Sequence, residues 1–433
     1  MKTLIWLSIL SIMALVVFSQ AVRTPASYTV HEWGTFTSLQ GGDGKLLSWR
    51  PLQTSELPGF VYNWNRPGMG RSSATVPVGI KSSMVTLQRL ETPVIYFYSG
   101  EKMKLDISVG FPKGLITEWY PQASQIGPAT IFDTNTAPAA ALRDSRAVWK
   151  DLEITPASND QSGLSGHLPQ DQSGSHYFAA RKTGADIVQT DLPGPSDSQP
   201  EFEKFIFYRG AGSFETPLRA SVNGQGDVTV ENTGAEKLAH LFFVSIHNGH
   251  AAFAVMDELP PGNPVSWLNL NGPASKKWQV FPLPEFHEKI GMQLESALVN
   301  EGLFADEARA MINTWKDSWL TESGERVLYI LPRKWTDKIL PMTLNPPPRN
   351  LARVMVGRAE IITPAAVTGL VQDLSKAQSG EATARNQAIM DLKAFGRFAW
   401  PALSLASLQG ASTKEMNFGV QLFVDSIQTR PKN

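Results

Sequence analysis

The segment YTVHEWGTFTS, residues 28–38, constrains the fold of this chain more than any other stretch. Its side chains alternate as they do along a β-strand. One face carries Tyr28, Val30, Glu32, Gly34 and Phe36, and the other carries Thr29, His31, Trp33 and Thr35. A carboxylate on the more apolar face costs free energy unless a partner compensates its charge. The pattern therefore predicts a strand with a paired or functional glutamate, and a histidine beside a tryptophan on the opposite face.

A secretory leader precedes this strand. Lys2 supplies the positive start, a mostly apolar stretch covers 4–18, and Ser19-Gln20-Ala21 has the small-x-small pattern of a cleavage site. The apolar stretch is short for a membrane span, and no later segment is long and apolar enough to cross a bilayer. We expect residues 1–21 to be a signal peptide and the mature protein to be exported, to the periplasm or the extracellular space.

The composition excludes several classes of protein. The 433 residues carry 39 basic and 40 acidic side chains, which is not the balance of a general nucleic-acid or anionic-membrane binder. There is no cysteine, so disulfides, thiolate metal sites and cysteine nucleophiles are excluded. The sequence also lacks GxSxG, P-loop, HExxH and GxGxxG motifs. The enzyme classes that these motifs identify are thereby excluded.

The chain is too long for one ordinary core, and its patterns predict a mainly β, multidomain protein with α-helices. Residues 22–216 form the predicted N-terminal β-rich domain. Short strands and turns over 217–275 predict a sandwich-like β module. Residues 276–362 predict a helical hairpin, with an apolar stripe through Met311, Trp315 and Trp319, plus strands that complete the N-terminal assembly.

The last segment, 363–433, predicts a C-terminal helical appendage. Thr363-Pro364 fits an N-cap followed by proline, and Ser412 with Glu415 fits a capping box. Residues 392–408 resemble a single HEAT-type helical repeat.

Three local predictions concern the N-terminal domain. Residues 84–100 and 103–112 are strand-like runs joined by Gly100-Glu101-Lys102, which predicts a hairpin. The run HYFAARKTGADIVQT predicts a strand pair. KFIFYRG, residues 204–210, predicts a buried strand.

Three glutamates lie in otherwise apolar or aromatic strands: Glu32, Glu91 and Glu118. Two carboxylates can serve as general acid and general base when their environments give them different pKa values. With His31 or His176 they would also suit a hard or borderline divalent metal. The alternative, which we favour, is that each glutamate accepts hydrogen bonds from an arginine or from backbone amides inside the protein.

Arginines and tryptophans supply the candidate ligand-binding residues. Arg181 and Arg209 each end an aromatic run, where an arginine either clamps an internal carboxylate or holds an anionic group of a ligand. Trp33 and Trp119 would offer flat rings to a sugar, although aromatic residues also dominate ordinary cores. We favour ion pairs with carboxylates inside the protein for the two arginines, and positions in the apolar core for the two tryptophans.

His247 and His250 have HxxH spacing, which on a helix would suit a metal ion. Asn248-Gly249 between them predicts a hairpin turn instead. We expect two solvated imidazoles at a turn tip.

Several segments together resemble a group of uncharacterised exported bacterial proteins that share an HEWGTFTS segment. They are HEWGTFTS, ETPVIYFYS, ITEWYP, HYFAARKTGA, KFIFYRGAGSF, MINTWKDSWL, RVLYILPR and RVMVGRAEIITP. The group has no assigned activity, so the resemblance implies no catalytic residue. It implies that residues 28–362 form one assembly.

Two functions fit these patterns. The first is a cell-envelope or extracellular binding protein for a glycan or protein ligand. The alternative is an exported hydrolase that uses the Glu/His cluster, with or without a metal ion. Convergence of the three glutamates and a histidine on one solvent-reachable pocket would favour the hydrolase.

Overall fold

The computed structural model describes most of the chain that follows the predicted signal peptide. The described ranges are 26–52, 57–68, 84–128, 144–158, 163–172, 174–193, 200–271 and 278–428. The predicted signal peptide, residues 1–21, lies outside them.

The described residues contain strands, α-helices and short 3-10 helices. In chain order the strands are β1 (Ala26–Gly41), β2 (Tyr62–Asn63), β3 (Gln88–Ser99), β4 (Met103–Phe111), β5 (Gly114–Tyr120), β6 (Gln125–Gly127), β7 (Ser145–Thr155), β8 (Ile187–Pro193), β9 (Pro200–Glu203), β10 (Ile206–Gly212), β11 (Leu218–Val222), β12 (Asp227–Asn232), β13 (Leu238–His247), β14 (His250–Leu259), β15 (Val265–Asn269), β16 (Gln279–Pro282), β17 (Gly324–Ile330), β18 (Met342–Asn345) and β19 (Pro348–Ile362). The α-helices are α1 (Leu283–Asn300), α2 (Ala305–Leu320), α3 (Arg333–Ile339), α4 (Pro364–Gln378), α5 (Ala382–Phe395), α6 (Ala399–Leu408) and α7 (Thr413–Gln428). The 3-10 helices are Leu164–His167, His176–Arg181 and Gly396–Phe398. The predicted mainly β fold with α-helical parts is confirmed.

The largest sheet has ten strands in the order β16-β14-β13-β17-β19-β1-β3-β10-β5-β2. β1 lies inside this sheet, parallel to β19 and antiparallel to β3. The predicted strand at residues 28–38 is therefore confirmed, and so is the buried strand at β10. Because β1 and β19 are more than 300 positions apart, one hydrogen-bonded sheet extends over most of the described chain.

A bulge explains the glycine within the first strand. β3 has one extra residue at this point, so Thr92 and Pro93 together face Gly34, and Thr92 has a φ of 46°. A Cβ atom on Gly34 would lie 3.0 Å from both Pro93 Cα and Met355 Sδ. Proline, which has no N–H to donate, is tolerated inside a sheet at such a bulge. The glycine is needed because the bulged backbone approaches closely.

Different elements cover the two faces of the ten-stranded sheet. The face that carries Glu32 and Phe36 packs against a six-stranded sheet, in the order β18-β4-β7-β8-β9 with β6 paired to β7, where Phe36 contacts Phe111. On the other face, His31 contacts helix α2. Leu39, further along the same face, belongs to the apolar core of the C-terminal helices. β1 is thus enclosed on both sides.

Two local predictions are wrong. The segments 84–100 and 103–112 do not form a hairpin, because β3 belongs to the ten-stranded sheet and β4 to the six-stranded sheet. The chain crosses between the two sheets at the predicted turn. The first half of HYFAARKTGADIVQT is the 3-10 helix His176–Arg181, which Ser175 caps by accepting a hydrogen bond from the Tyr177 amide. Its second half enters strand β8, as predicted.

The strands of the predicted module at 217–275 are divided between two sheets. β11, β12 and β15 form a three-stranded sheet of their own, whereas β13 and β14 extend the ten-stranded sheet. The ten-stranded sheet therefore continues across the boundary predicted at residue 217. The physical reason is that β13 pairs with β17, about 80 residues further along the chain, as well as with β14.

The helices form two groups, as the sequence predicts. α1 and α2 make the helical hairpin, with Met311, Trp315 and Trp319 buried. α4–α7 surround a separate apolar core at the C-terminal end. Thr363 Oγ1 accepts a hydrogen bond from the Ala366 amide, and Ser412 and Glu415 form the predicted capping box. Among the described helices, none combines the length and apolar character that a membrane crossing needs. The HEAT-type resemblance stays a prediction.

Candidate functional site

Glu32 lies inside the protein, on the face that packs against the six-stranded sheet. Tyr208 Oη donates a 2.6 Å hydrogen bond to Glu32 Oε1, and Arg353 Nε donates a 2.5 Å hydrogen bond to Oε2. Residues 32 and 353 are direct neighbours in the register of β1 and β19. Burial by itself lowers the pKa of Arg353, but the Glu32 carboxylate outweighs burial and raises it above the ordinary value. Glu32 is an internal ion-pair partner.

Glu91 lies on the opposite face, towards the C-terminal helices. Arg397 Nη1, from the 3-10 helix Gly396–Phe398, donates a 3.0 Å hydrogen bond to Glu91 Oε1. Arg89 Nε lies 3.8 Å from Glu91 Oε2. Burial raises the pKa of Glu91, but the guanidinium groups of Arg397 and Arg89 outweigh burial and hold it well below the ordinary value. Glu91 thus stays ionised and binds the C-terminal helices to the sheet.

Glu118 is the third predicted carboxylate, and it too has its own arginine. Arg209 Nε donates a 2.7 Å hydrogen bond to Glu118 Oε2, in the register of β10 and β5. This is the internal ion pair that we predict from the sequence for Arg209. Glu118 also borders a cavity of about 340 Å³ that Asn63 and Arg66 help to line.

The predicted histidines have other partners. His31 Nδ1 lies 2.7 Å from Oε2 of Glu307 on helix α2, and Tyr98 Oη donates a 2.7 Å hydrogen bond to Glu307 Oε1. The Phe304 ring covers His31 at a centroid distance of 4.5 Å. His176 begins its 3-10 helix with its ring against Trp315. His31 is 4% exposed, so it faces the α2 contact rather than an open cleft.

The predicted ligand-binding residues are also internal. Trp33 and Trp119 are fully buried, and they belong to the main apolar core. Arg181 donates from Nη2 to Glu203 Oε2 at 2.7 Å, so it is a clamp for a carboxylate that the sequence prediction did not name. These positions present no sugar-binding surface.

The structure does not bring the five predicted catalytic residues, His31, Glu32, Glu91, Glu118 and His176, to one pocket, and their catalytic role stays a prediction. Glu32 and Glu91 lie on opposite faces of the ten-stranded sheet, and Glu118, like both of them, is neutralised by an arginine. Within the described ranges, no three His, Asp or Glu side chains could hold a metal ion together. The physical reason is that successive side chains of a strand point to opposite faces of the sheet and therefore lie in different layers of the protein.

A cleft of about 560 Å³ lies where the ten-stranded sheet meets the C-terminal helices, and we call it the junction cleft. Its walls come from the ends of β13, β17 and β19, the turn after β11, the start of α4 and the end of α5. Polar side chains in these walls include Asn223, His247, Asn271, Glu325, Glu360 and Asp391, and the aromatic ones are Trp278, Phe395 and Phe398. The cleft combines hydrogen-bonding groups with flat apolar rings.

The ionisable groups of the junction cleft are mainly acidic. His247 Nε2 lies 2.5 Å from Glu325 Oε1. The hydrogen bond to Glu325 raises the pKa of His247, with burial acting in the opposite direction. Burial raises the pKa of Asp391. Glu360 accepts a 2.6 Å hydrogen bond from Arg358 Nε, so this carboxylate is already compensated from the protein side.

Most residues of the junction cleft are not predicted by the sequence patterns. His247 is the exception: it is predicted as one of two solvated imidazoles at a hairpin tip, and β13 and β14 do meet there. However, Glu325, Glu360 and Asp391 lie on elements that approach His247 only in the folded chain. The cap at Thr363-Pro364, which the sequence did predict, is the one local signal of the cleft, because it begins the helix that forms one wall.

Comparisons with known proteins add little to this geometry. No family model and no curated protein sequence matches the chain. Among solved structures, the Fcho1 Mu homology domain of Danio rerio with bound Eps15 peptide is similar at 8% identity and a TM-score of 0.26. The match covers 78% of this chain and 97% of that chain. A likeness at this TM-score carries no argument about fold or function.

Proposed function

We propose that the protein is an exported binding protein that holds a glycan ligand in the junction cleft. The observation that carries the proposal is the cleft itself, a 560 Å³ space between two parts of the fold. Small-molecule sites typically have volumes of roughly 300–1,000 Å³ and lie between domains or layers. The sequence also suggests a protein ligand, but the volume of the cleft suits a small molecule.

The chemistry of the walls favours a sugar. Asn223, Asn271 and Asp391 offer donors and acceptors to hydroxyl groups, while Trp278 and Phe395, both partly exposed, offer rings to the apolar face of a pyranose. Lysine and arginine side chains do not contribute to the described lining, so an anionic ligand would find little compensation there. A neutral or amino-bearing oligosaccharide fits this balance of groups.

Export is supported by the leader and by the resemblance to exported bacterial proteins. A glycan ligand is consistent with a periplasmic or extracellular location. The hydrolase alternative is less favoured, since each of Glu32, Glu91 and Glu118 forms an ion pair with an arginine inside the protein, and Glu32 and Glu91 lie on opposite faces of the sheet. Mass spectrometry of protein purified from the envelope fraction would test export, with a start at Val22 as the expected result.

Binding is tested by titrating the purified mature protein with neutral and amino-bearing oligosaccharides, by calorimetry and thermal shift. At least one is expected to bind, and Asp391→Ala is expected to weaken that binding about tenfold or more. Lys289→Ala, at a separate surface groove lined by Phe253 and Met292, is the control and should bind normally. Failure of all oligosaccharides, or equal binding by the Asp391 variant, would contradict the proposal.

A further inference from the structure

Helix α5 presents a carboxylate and an aromatic ring side by side to the junction cleft. Asp391, Ala394 and Phe395 all line the cleft, at positions i, i+3 and i+4 of this helix. Residues with this spacing lie on one helical face, with Cβ atoms about 5–6 Å apart. Asp391 and Phe395 therefore border the same part of a cavity of about 560 Å³.

The neighbouring helix α4 leaves this part of the cleft open. It contributes only small side chains to the described lining, at Ala365, Ala366 and Gly369. A Cβ atom on Gly369 would meet no atom within 4 Å, so the space beside this glycine is not filled by the described residues. Room for a group of a ligand is thus present next to α5.

The three carboxylates of the cleft differ in how their charges are balanced. Glu325 lies 2.5 Å from His247 Nε2, and Glu360 forms an ion pair with a buried arginine. Asp391 instead accepts a 2.8 Å hydrogen bond from Gln387 Nε2, which is a neutral amide. Among the described residues, no lysine or arginine compensates the charge of Asp391. Asp391 is thus the carboxylate of the cleft that a positive ligand group would complement.

A second carboxylate close to Asp391 strengthens this conclusion. Burial raises the pKa of Asp391, and the neighbouring Asp373 of α4 raises it as well. Glu91 shows the opposite behaviour, because its arginine partners hold its pKa well below the ordinary value. The contrast between Asp391 and Glu91 agrees with a carboxylate that has no cationic partner in the free protein.

Aromatic rings are a second feature of the cleft that suits a cation. Trp278 and Phe395 both line the cleft and are both partly exposed. The Phe243 ring lies 5.7 Å from the Trp278 ring, centroid to centroid, and helps to hold it in place. The face of an aromatic ring attracts an ammonium group. A carboxylate beside such a ring therefore favours a protonated amine over a neutral group.

Within the described structure, no lysine or arginine side chain lines the cleft and competes with a bound amine. Arg326 and Arg358, which contact the wall residue Glu360, are fully buried and form ion pairs with it. His247 is engaged with Glu325. The charges that face the cleft therefore favour a cationic ligand over an anionic one.

We propose that the junction cleft selects a sugar with a free amino group, whose ammonium is held by Asp391 beside the ring of Phe395. The inference rests on the glycan-binding function proposed above, and it narrows the ligand from neutral or amino-bearing sugars to amino-bearing ones. An N-acetylated amino sugar has the same ring but carries no positive charge. It therefore serves as the matched probe for the role of Asp391.

The test titrates the mature protein by calorimetry with two trisaccharides, one of glucosamine and one of N-acetylglucosamine, at about pH 6, where an amine is protonated. The glucosamine trisaccharide is expected to bind about tenfold or more tightly than the other. Asp391→Asn removes the charge and keeps the shape, and it is expected to abolish this preference. Glu285→Gln, which removes an exposed carboxylate paired with Lys289 on α1, is the matched control and should keep the preference.

Gly369→Leu tests where the trisaccharide binds. The leucine side chain would enter the open space beside α5, and it is expected to abolish binding. Unaltered binding in this variant would place the site outside the junction cleft, and would overturn the inference together with the proposed function.

Other outcomes separate the inference from the proposed function. Equal or tighter binding of the N-acetylglucosamine trisaccharide, or binding of neutral sugars alone, would overturn the inference and leave glycan binding in place. Failure of every sugar tested would overturn both. Should Asp391→Asn fail to fold, Phe395→Leu serves as the second variant, and its preference for the free amine is expected to fall about threefold. An unchanged preference in that variant would overturn the inference.

Discussion

Arg353 on β19 and Glu32 on β1 form a fully buried ion pair at 2.5 Å, although 321 positions separate them in the chain. The pair lies in the parallel contact between the two strands, where Tyr208 also donates to Glu32 and Arg353 also donates to Asp337. It belongs to a set of similar pairs, Glu91 with Arg397, Glu118 with Arg209 and Glu203 with Arg181. Each of these buried pairs joins two different elements of the fold.

Removing one partner of the central pair should be strongly destabilising. Glu32→Gln leaves Arg353 buried without its counter-charge, and we expect a loss of roughly 3–5 kcal/mol in the free energy of unfolding. Urea denaturation followed by tryptophan fluorescence measures it. The control is Asp337→Asn, which touches the same arginine from an exposed position and should cost under about 1 kcal/mol. Equal effects of the two substitutions would contradict this role for Glu32.

Gly34 should tolerate no side chain. In Gly34→Ala the new Cβ would lie 3.0 Å from the Pro93 backbone and the Met355 sulfur, and overpacking of this kind costs roughly 1–3 kcal/mol. Gly59→Ala is the matched control, because a Cβ there meets no atom within 4 Å. Thermal melting of both variants distinguishes a close-packing requirement from a general effect of removing glycine. Similar melting temperatures for the two variants would show that the bulge can relax.

Glu91 should make stability sensitive to acid. Its pKa in the folded state lies below the unfolded value of about 4.3, so its contribution is present above pH 4.3 and is lost as the pH falls towards the folded pKa. Glu91→Gln is expected to be less stable at pH 7 by roughly 3–5 kcal/mol, and this deficit should shrink below pH 4.

Urea midpoints between pH 3 and pH 7 test this behaviour. Glu231→Gln, which removes a surface partner of Arg219, should show a small and nearly constant difference from the natural protein. A deficit for Glu91→Gln that does not change with pH would mean that packing, and not charge, explains its effect.

The pair of His247 and Glu325 should make the stability of the fold decrease as the pH rises, which is opposite to the effect of Glu91. The hydrogen bond to Glu325 raises the pKa of His247, so the pair stabilises the fold fully below the unfolded value of about 6.5. This contribution is lost as the pH rises through the folded pKa.

Melting temperatures measured from pH 5.5 to pH 9 in the natural protein and in His247→Gln would show the difference. The variant is expected to lose the decline in stability that accompanies deprotonation of the pair. His250→Gln alters the exposed imidazole at the same turn tip and should leave the decline in place. A decline that persists in His247→Gln must come from another group.

Local features of this fold were predictable because they depend on neighbouring residues. Strand alternation located β1 and β10, the apolar stripe located α2, and the caps at Thr363 and Ser412 located the starts of α4 and α7. Favouring an arginine for each buried glutamate was also correct, since an ionised carboxylate in an apolar strand needs compensation.

Pairing partners were not predictable, for a reason visible in β3 and β4. These strands follow each other with a short turn between them, yet each completes a different sheet, because the sheet edge that a strand joins is set by residues far along the chain. The error at 176–181 is similar in kind. An aromatic run fits a strand or a 3-10 helix, and the cap by Ser175 together with packing against α2 decides between them.

The sequence by itself determined that this is a mainly β protein without cysteine, with a first strand whose glutamate needs a partner. Only the tertiary structure decided which arginine that partner is, which face of the sheet each carboxylate occupies, and that His247, Glu325 and Asp391 line one cleft. The physical reason is that periodicity and capping act over a few residues, whereas ion pairs and clefts depend on contacts across hundreds of positions.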